Sequence, residues 1–123
     1  KLNFGNNSFN YVVMIATIEH LEYPKEVIQE CSRILRPKGL LIITTPKDSI
    51  ELHLIEYIFF SDKLSLYPNH HFFDKKSLQM LASNFSLQEY KTFEFGLNQL
   101  FIFEKSINRQ DKLEIGNPME ILY

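Results

Sequence analysis

Two short apolar runs without a charge, Phe9-Asn10-Tyr11-Val12-Val13-Met14-Ile15 and Leu40-Leu41-Ile42-Ile43-Thr44-Thr45, flank a helical pattern, and this arrangement constrains the fold more than any other feature. Both runs are rich in β-branched residues, the pattern of strands buried on both faces of a parallel sheet. Between them Pro24 stands where a first helical turn begins. Val27, Ile28, Cys31, Ile34 and Leu35 then recur at i, i+1, i+4, i+7 and i+8, which builds one apolar stripe on a helix of about three turns. Arg36-Pro37-Lys38-Gly39 stops that helix, because Pro37 cannot continue it and Gly39 is free to take a left-handed turn. Strand, helix and strand with short connections form a βαβ unit with a right-handed crossover, and the fold class is α/β.

The rest of the chain extends this unit. Ile50, Leu54, Ile55, Ile58 and Phe59 suggest an amphipathic helix, and Ser61 to Pro68 reads as a loop. Asp74 caps a helix through Leu78, Leu81 and Ala82, with Asn84 suited to the left-handed position after it. Leu87 to Phe95 and Leu100 to Glu104 read as an antiparallel pair joined around Gly96-Leu97-Asn98. The segment from Ser106 to Tyr123 is polar and lacks a period, so we expect a tail there.

At 123 residues and 45% hydrophobic, the chain has enough apolar material for a core without staples. A net charge of −2 without basic blocks argues against a dedicated nucleic-acid partner. No apolar run approaches a membrane span, so no stable membrane insertion is expected. The one cysteine, Cys31, excludes an intrachain disulfide and Cys-based metal sites and suits a reducing, cytoplasmic setting. His70-His71 lacks a third ligand at a fixed helical spacing, and no metal is expected.

The strings Phe4-Gly5-Asn6-Asn7-Ser8-Phe9-Asn10-Tyr11-Val12-Val13, Ala16-Thr17-Ile18-Glu19-His20-Leu21 and Leu35-Arg36-Pro37-Lys38-Gly39-Leu40-Leu41-Ile42-Ile43 occur in an order that resembles the second half of class I S-adenosylmethionine-dependent methyltransferases. The group of ubiquinone and menaquinone biosynthesis methyltransferases is the most similar. His71-Phe72-Phe73-Asp74 before a helix and Asn84-Phe85 after it resemble two later signatures of that group. The resemblance implies a Rossmann-like, doubly wound sheet of seven strands whose last strand is antiparallel. This chain would supply strands in the order 4-5-7-6, from Tyr11–Ile15, Leu40–Thr45, Leu100–Glu104 and Leu87–Phe95 respectively. Residues 1–105 would form the domain portion, 47–69 a lid segment and 106–123 the tail.

In open α/β sheets ligands bind beyond the carboxyl ends of the strands, near the point where strand order reverses. The resemblance places Ile15, Ala16, Thr17 and Ile18 against the methionine part of S-adenosylmethionine. Small Ala16 permits close backbone approach and Thr17 offers a hydroxyl. Methyl transfer needs mainly positioning, with a base only where the acceptor carries a proton to lose. His20 is a candidate base, since an imidazole titrates near neutral pH. Its alternative is a structural pair with Glu19 that closes the loop. His70, beside His71, is a candidate acceptor-facing residue, and the alternative for this pair is packing under Phe72 and Phe73. The expected partner is a small-molecule methyl acceptor whose identity lies in variable lid segments.

The glycine-rich loop and the acidic ribose-binding residue of the family have no counterpart here. Gly5, Gly39, Gly96 and Gly116 are the chain's glycines, and none belongs to a G-x-G pattern. With Lys1 in first place, we therefore expect a C-terminal half whose cofactor binding needs an N-terminal half outside these residues. A non-catalytic, methyltransferase-like interaction module is the alternative. The first apolar strand would then carry an unpaired edge, and self-association through it is expected.

Overall fold

The computed structural model describes residues 1–47, Leu54, Ile58 and 71–107. Most of the expected 47–69 segment, His70 and all but Ser106 and Ile107 of the expected tail lie outside these residues. Of the 50–60 pattern, Leu54 and Ile58 are described, both helical and exposed.

The first apolar run forms β1 (Phe9–Ile15), followed by a one-turn 3₁₀ helix (Ile18–His20), α1 (Pro24–Ile34) and β2 (Leu35–Pro46). Downstream come α2 (Lys75–Leu81), β3 (Phe85–Phe93) and β4 (Asn98–Lys105). The four strands make one mixed sheet in the order β1-β2-β4-β3. β1 runs parallel to β2, and β4 is antiparallel to both of its neighbours. This is the order and direction expected for the four strands.

The helix stripe of α1 packs as its spacing demands, with Ile28, Cys31 and Ile34 buried. Burial pushes the Cys31 thiol up to about 11, so at neutral pH it is a small core group and not a nucleophile. Asp74 opens α2 through a capping box: its Oδ1 accepts from Ser77 N at 2.6 Å, and Asp74 N donates to Ser77 Oγ at 3.0 Å. Leu78 and Ala82 thereby turn fully inward onto Leu41, Ile43, Phe101 and Phe103.

Four local readings need correction. β1 is not buried on both faces. Met14 is buried, but Tyr11, Val13 and Ile15 are 63%, 54% and 69% exposed. Ile18, Ile28, Cys31 and Leu78 of the described helices join one core, which Met14 enters from β1. On the other face Leu40, Ile42, Leu100 and Ile102 are half-buried. The second strand begins five residues early, at Leu35, but residues 36–39 bulge from the ladder: Phe9 pairs with Leu35 and Tyr11 already with Leu40. Within that bulge Lys38, not Gly39, takes the left-handed conformation, at φ 62°. Gly39 is needed for space, because a Cβ there would lie 2.8 Å from Arg36 O and 3.1 Å from Asn10 O. Asn84 is not left-handed either. The chain leaves α2 by a tight turn in which Phe85 N donates to Ala82 O at 2.9 Å.

Residues ahead of β1 are clasped to α1 by one guanidinium. Arg33 Nε and Nη2 donate to the two carboxylate oxygens of Glu30 at 2.8 and 3.0 Å. Its Nη1 reaches Phe4 O at 2.7 Å and Asn6 Oδ1 at 3.0 Å, and Leu2 N donates to Glu30 Oε2 at 2.8 Å. The hydrogen bonds from Arg33 and Leu2 hold the Glu30 carboxyl down, from 4.5 to about 2. A depressed carboxylate stabilises fully above its unfolded value and loses that contribution as pH falls through its folded one. Acid unfolding followed by circular dichroism should therefore show a loss between pH 4.5 and about 2 that Glu30→Gln flattens. The pair is partly exposed, so the change is modest. An unchanged acid limb in the variant would refute the clasp.

Candidate site at the carboxyl ends of the parallel strands

β1 ends beside β2, and the next residue breaks the strand sharply. Ala16 sits at φ 46°, a left-handed conformation that costs a non-glycine residue roughly 1 kcal/mol. Its N–H is fixed by Thr44, donating to the carbonyl oxygen at 3.0 Å and lying 3.3 Å from Oγ1. The exposed residues 15–17 are thus presented by a strained turn held rigidly on β2. The Thr17 hydroxyl donates back to Ile15 O at 2.8 Å, leaving its oxygen as an acceptor toward solvent. The Ile18 side chain is fully buried, so its main chain is what could face a ligand.

The 3₁₀ turn then points Glu19 inward and His20 outward. Glu19 is buried, and its Oε2 accepts from Thr45 Oγ1 at 3.1 Å. His20 is 51% exposed, with Nε2 3.9 Å from Glu19 Oε1, beyond hydrogen-bond reach. The acid of the Glu19-His20 pair is therefore bound to β2, while the imidazole stands at the mouth of the turn. His71 joins this region through its backbone, its N–H donating to Glu19 O at 2.8 Å. The His71 ring is exposed and tilted against Phe73 at 6.4 Å between centroids.

Three contributors, two buried and one half-buried, escaped the sequence reading. Thr45 supplies the hydroxyl for Glu19. Gln99, fully buried on β4, donates from Nε2 to Phe73 O at 2.7 Å and Pro46 O at 3.2 Å. Tyr90 OH donates to Gln99 Oε1 at 3.1 Å. The alternation of β4, with Gln99, Phe101, Phe103 and Lys105 all inward, was the signal that could have found Gln99. Among the described residues no three His, Cys, Asp or Glu side chains gather as a metal ion would require. No helix among them is long and apolar enough to cross a membrane.

A parallel pair with a crossover helix, an antiparallel neighbour and a turn at the strands' carboxyl ends make up a Rossmann-like α/β sheet, and in such sheets ligands bind at those ends. Residues 1–43 match the family described as a methyltransferase domain. The ubiquinone biosynthesis O-methyltransferase of Colwellia psychrerythraea is 32% identical over 62 residues, covering 50% of this chain and 25% of that protein. Two solved structures agree in fold. An S-adenosylmethionine-dependent methyltransferase from Methanosarcina mazei has a TM-score of 0.66 at 19% identity, over 88% of this chain and 64% of its own. Another from Thermotoga maritima has a TM-score of 0.68 at 22% identity, over 86% and 60%. The chain is thus similar to methyltransferases in sequence over its first 43 residues and to S-adenosylmethionine-dependent methyltransferases in fold, and it spans a quarter of the curated relative it matches.

Proposed function

We propose that this domain serves methyl transfer from S-adenosylmethionine to a small-molecule acceptor, with the turn 15–18 holding part of the cofactor. The observation that carries the reading is the left-handed Ala16 pinned to Thr44 at the ends of two parallel strands, in a chain related to methyltransferases. A methyl side chain there lets a ligand approach the main chain closely, and the Thr17 oxygen can accept from an amino group. Bound S-adenosylmethionine would supply an electrophilic methyl on a sulfonium.

His20, exposed beside this turn, is placed to accept a proton from a hydroxyl or amine acceptor. Glu19 keeps the turn in shape through Thr45. We assign the role of the family's glycine-rich loop to residues outside this chain, so residues 1–105 act as one portion of a larger catalytic domain. The strand order corresponds to 4-5-7-6 of the seven-stranded sheet. The exposed outer strand β1 supports self-association of the isolated chain, and the buried thiol of Cys31 suits a cytoplasmic setting.

Isothermal titration with S-adenosylmethionine tests the reading. The 123 residues alone should show no measurable heat of binding, whereas a longer chain that includes a glycine-rich half should bind. Tight binding by these residues alone would overturn the need for that half. No binding by the longer chain would overturn the cofactor assignment.

A further inference from the structure

Four buried or shielded contacts at the carboxyl ends of the strands close into a ring. Glu19 Oε2 accepts from Thr45 Oγ1. Thr45 and Gln99 are direct partners across the β2–β4 ladder, so their side chains lie on the same inner face. Gln99 Nε2 holds Phe73 O, at the isolated bridge where Phe73 lies parallel to Lys47. Two residues earlier, His71 N donates to Glu19 O and completes the circuit. Only one orientation of the Gln99 amide satisfies it, because its other face accepts from Tyr90 OH. The ring thus joins the turn after β1 to a segment distant in sequence.

We propose that Gln99 and Thr45 are positioning residues that lock the His71–Phe73 segment to the 15–20 turn, so that the two loops facing the site are ordered as a unit. The fold alone does not require this. Sheet pairing places β2 against β4, and the backbone ties of the 71–73 segment to this end of the sheet are the single Lys47–Phe73 bridge and the His71 N–H. Glu19 and Gln99 are both fully buried polar side chains, and an apolar pair would fill that space without reaching Phe73 O. The bearing of the ring on catalysis rests on the methyl-transfer reading, whereas the ring itself rests on geometry.

Amide hydrogen exchange of the full chain, read residue by residue by NMR without ligand, tests the ring. Thr45→Val and Gln99→Leu should each speed exchange at His71 by about tenfold, the worth of a typical hydrogen bond, while the Leu41 and Ile43 amides of β2 stay protected. Thr45→Ser keeps the hydroxyl and should keep the protection at His71. Should Gln99→Leu fail to fold, Tyr90→Phe removes only the donor that orients the Gln99 amide and should loosen His71 in the same direction. Unchanged exchange at His71 in these variants overturns the proposal, and so does a rise shared equally with Leu41 and Ile43, which would mark general destabilisation. Titrating S-adenosylmethionine into the longer chain tests the other reading separately: silence there with His71 loosened as expected would retain the ring and refute the methyl-transfer assignment.

Discussion

Phe101→Ala is expected to remove about 3–5 kcal/mol of stability, the largest single loss in the domain. Phe101 is fully buried on β4, stacked on Phe103 at 5.7 Å with the rings nearly parallel, and tilted against Tyr90 at 5.0 Å. It faces Ile43 across the ladder, and Leu78 of α2 and Ala82 just after it enter the same core. Truncation leaves a cavity bounded on the sheet side by strands that cannot close inward without breaking pairing on both flanks of β4. A typical domain holds only about 5–15 kcal/mol in total, so the variant should unfold at a far lower urea concentration. Phe101→Leu keeps most of the volume and should lose clearly less. A loss below about 1 kcal/mol for Phe101→Ala, read from urea midpoints at an unchanged slope, would mean that β4 is not the centre of this core.

The same strand shows how much of the molecule could be read from its residues. β1, α1 and the ladder portion of β2 were legible, because an uncharged run and a stripe at helical spacing are local signals, whereas α1 ends at Ile34, ahead of the Arg36–Gly39 segment expected to stop it. The Asp74 cap was legible for the same reason. Face-specific burial of β1 was not. A run such as Tyr11-Val12-Val13 is apolar on both faces, and its sequence does not say which face the rest of the protein covers. Lys38 and Gly39 exchange roles for a related reason: Gly39 is chosen by the nearness of Arg36 O and of Asn10 O on a neighbouring strand, a contact that local turn rules do not contain. At the site, the Ala16-Thr17 turn was visible, yet the partner of Glu19 was not. Adjacency suggested His20, whose Nε2 does lie 3.9 Å from Glu19 Oε1, but the hydrogen bond that Glu19 Oε2 accepts comes from Thr45, on a strand that adjacency does not reveal. Gln99 acts across distant segments, and its role depends on register, which the sequence leaves open.

The exposed β1 predicts the second large effect: the isolated 123 residues should associate, and one substitution should abolish it. β1 is the outer strand of the sheet among the described residues, and its seven residues hold neither a charge nor a proline. Natural edge strands are guarded by those devices, and an unguarded apolar edge is a template for another strand. Ala16 N donates toward β2, and successive amides of a strand point to opposite sides, so the amides of Tyr11, Val13 and Ile15 point to the free edge. Val13→Pro therefore deletes an outward donor and spares the ladder to β2. Light scattering across the micromolar to millimolar range should show mass rising with concentration for the native sequence. The variant should hold the mass of one chain, with circular dichroism confirming that it folds. A native chain that stays at one-chain mass throughout, or a folded variant that associates as strongly as the native chain, would show that β1 is not the contact.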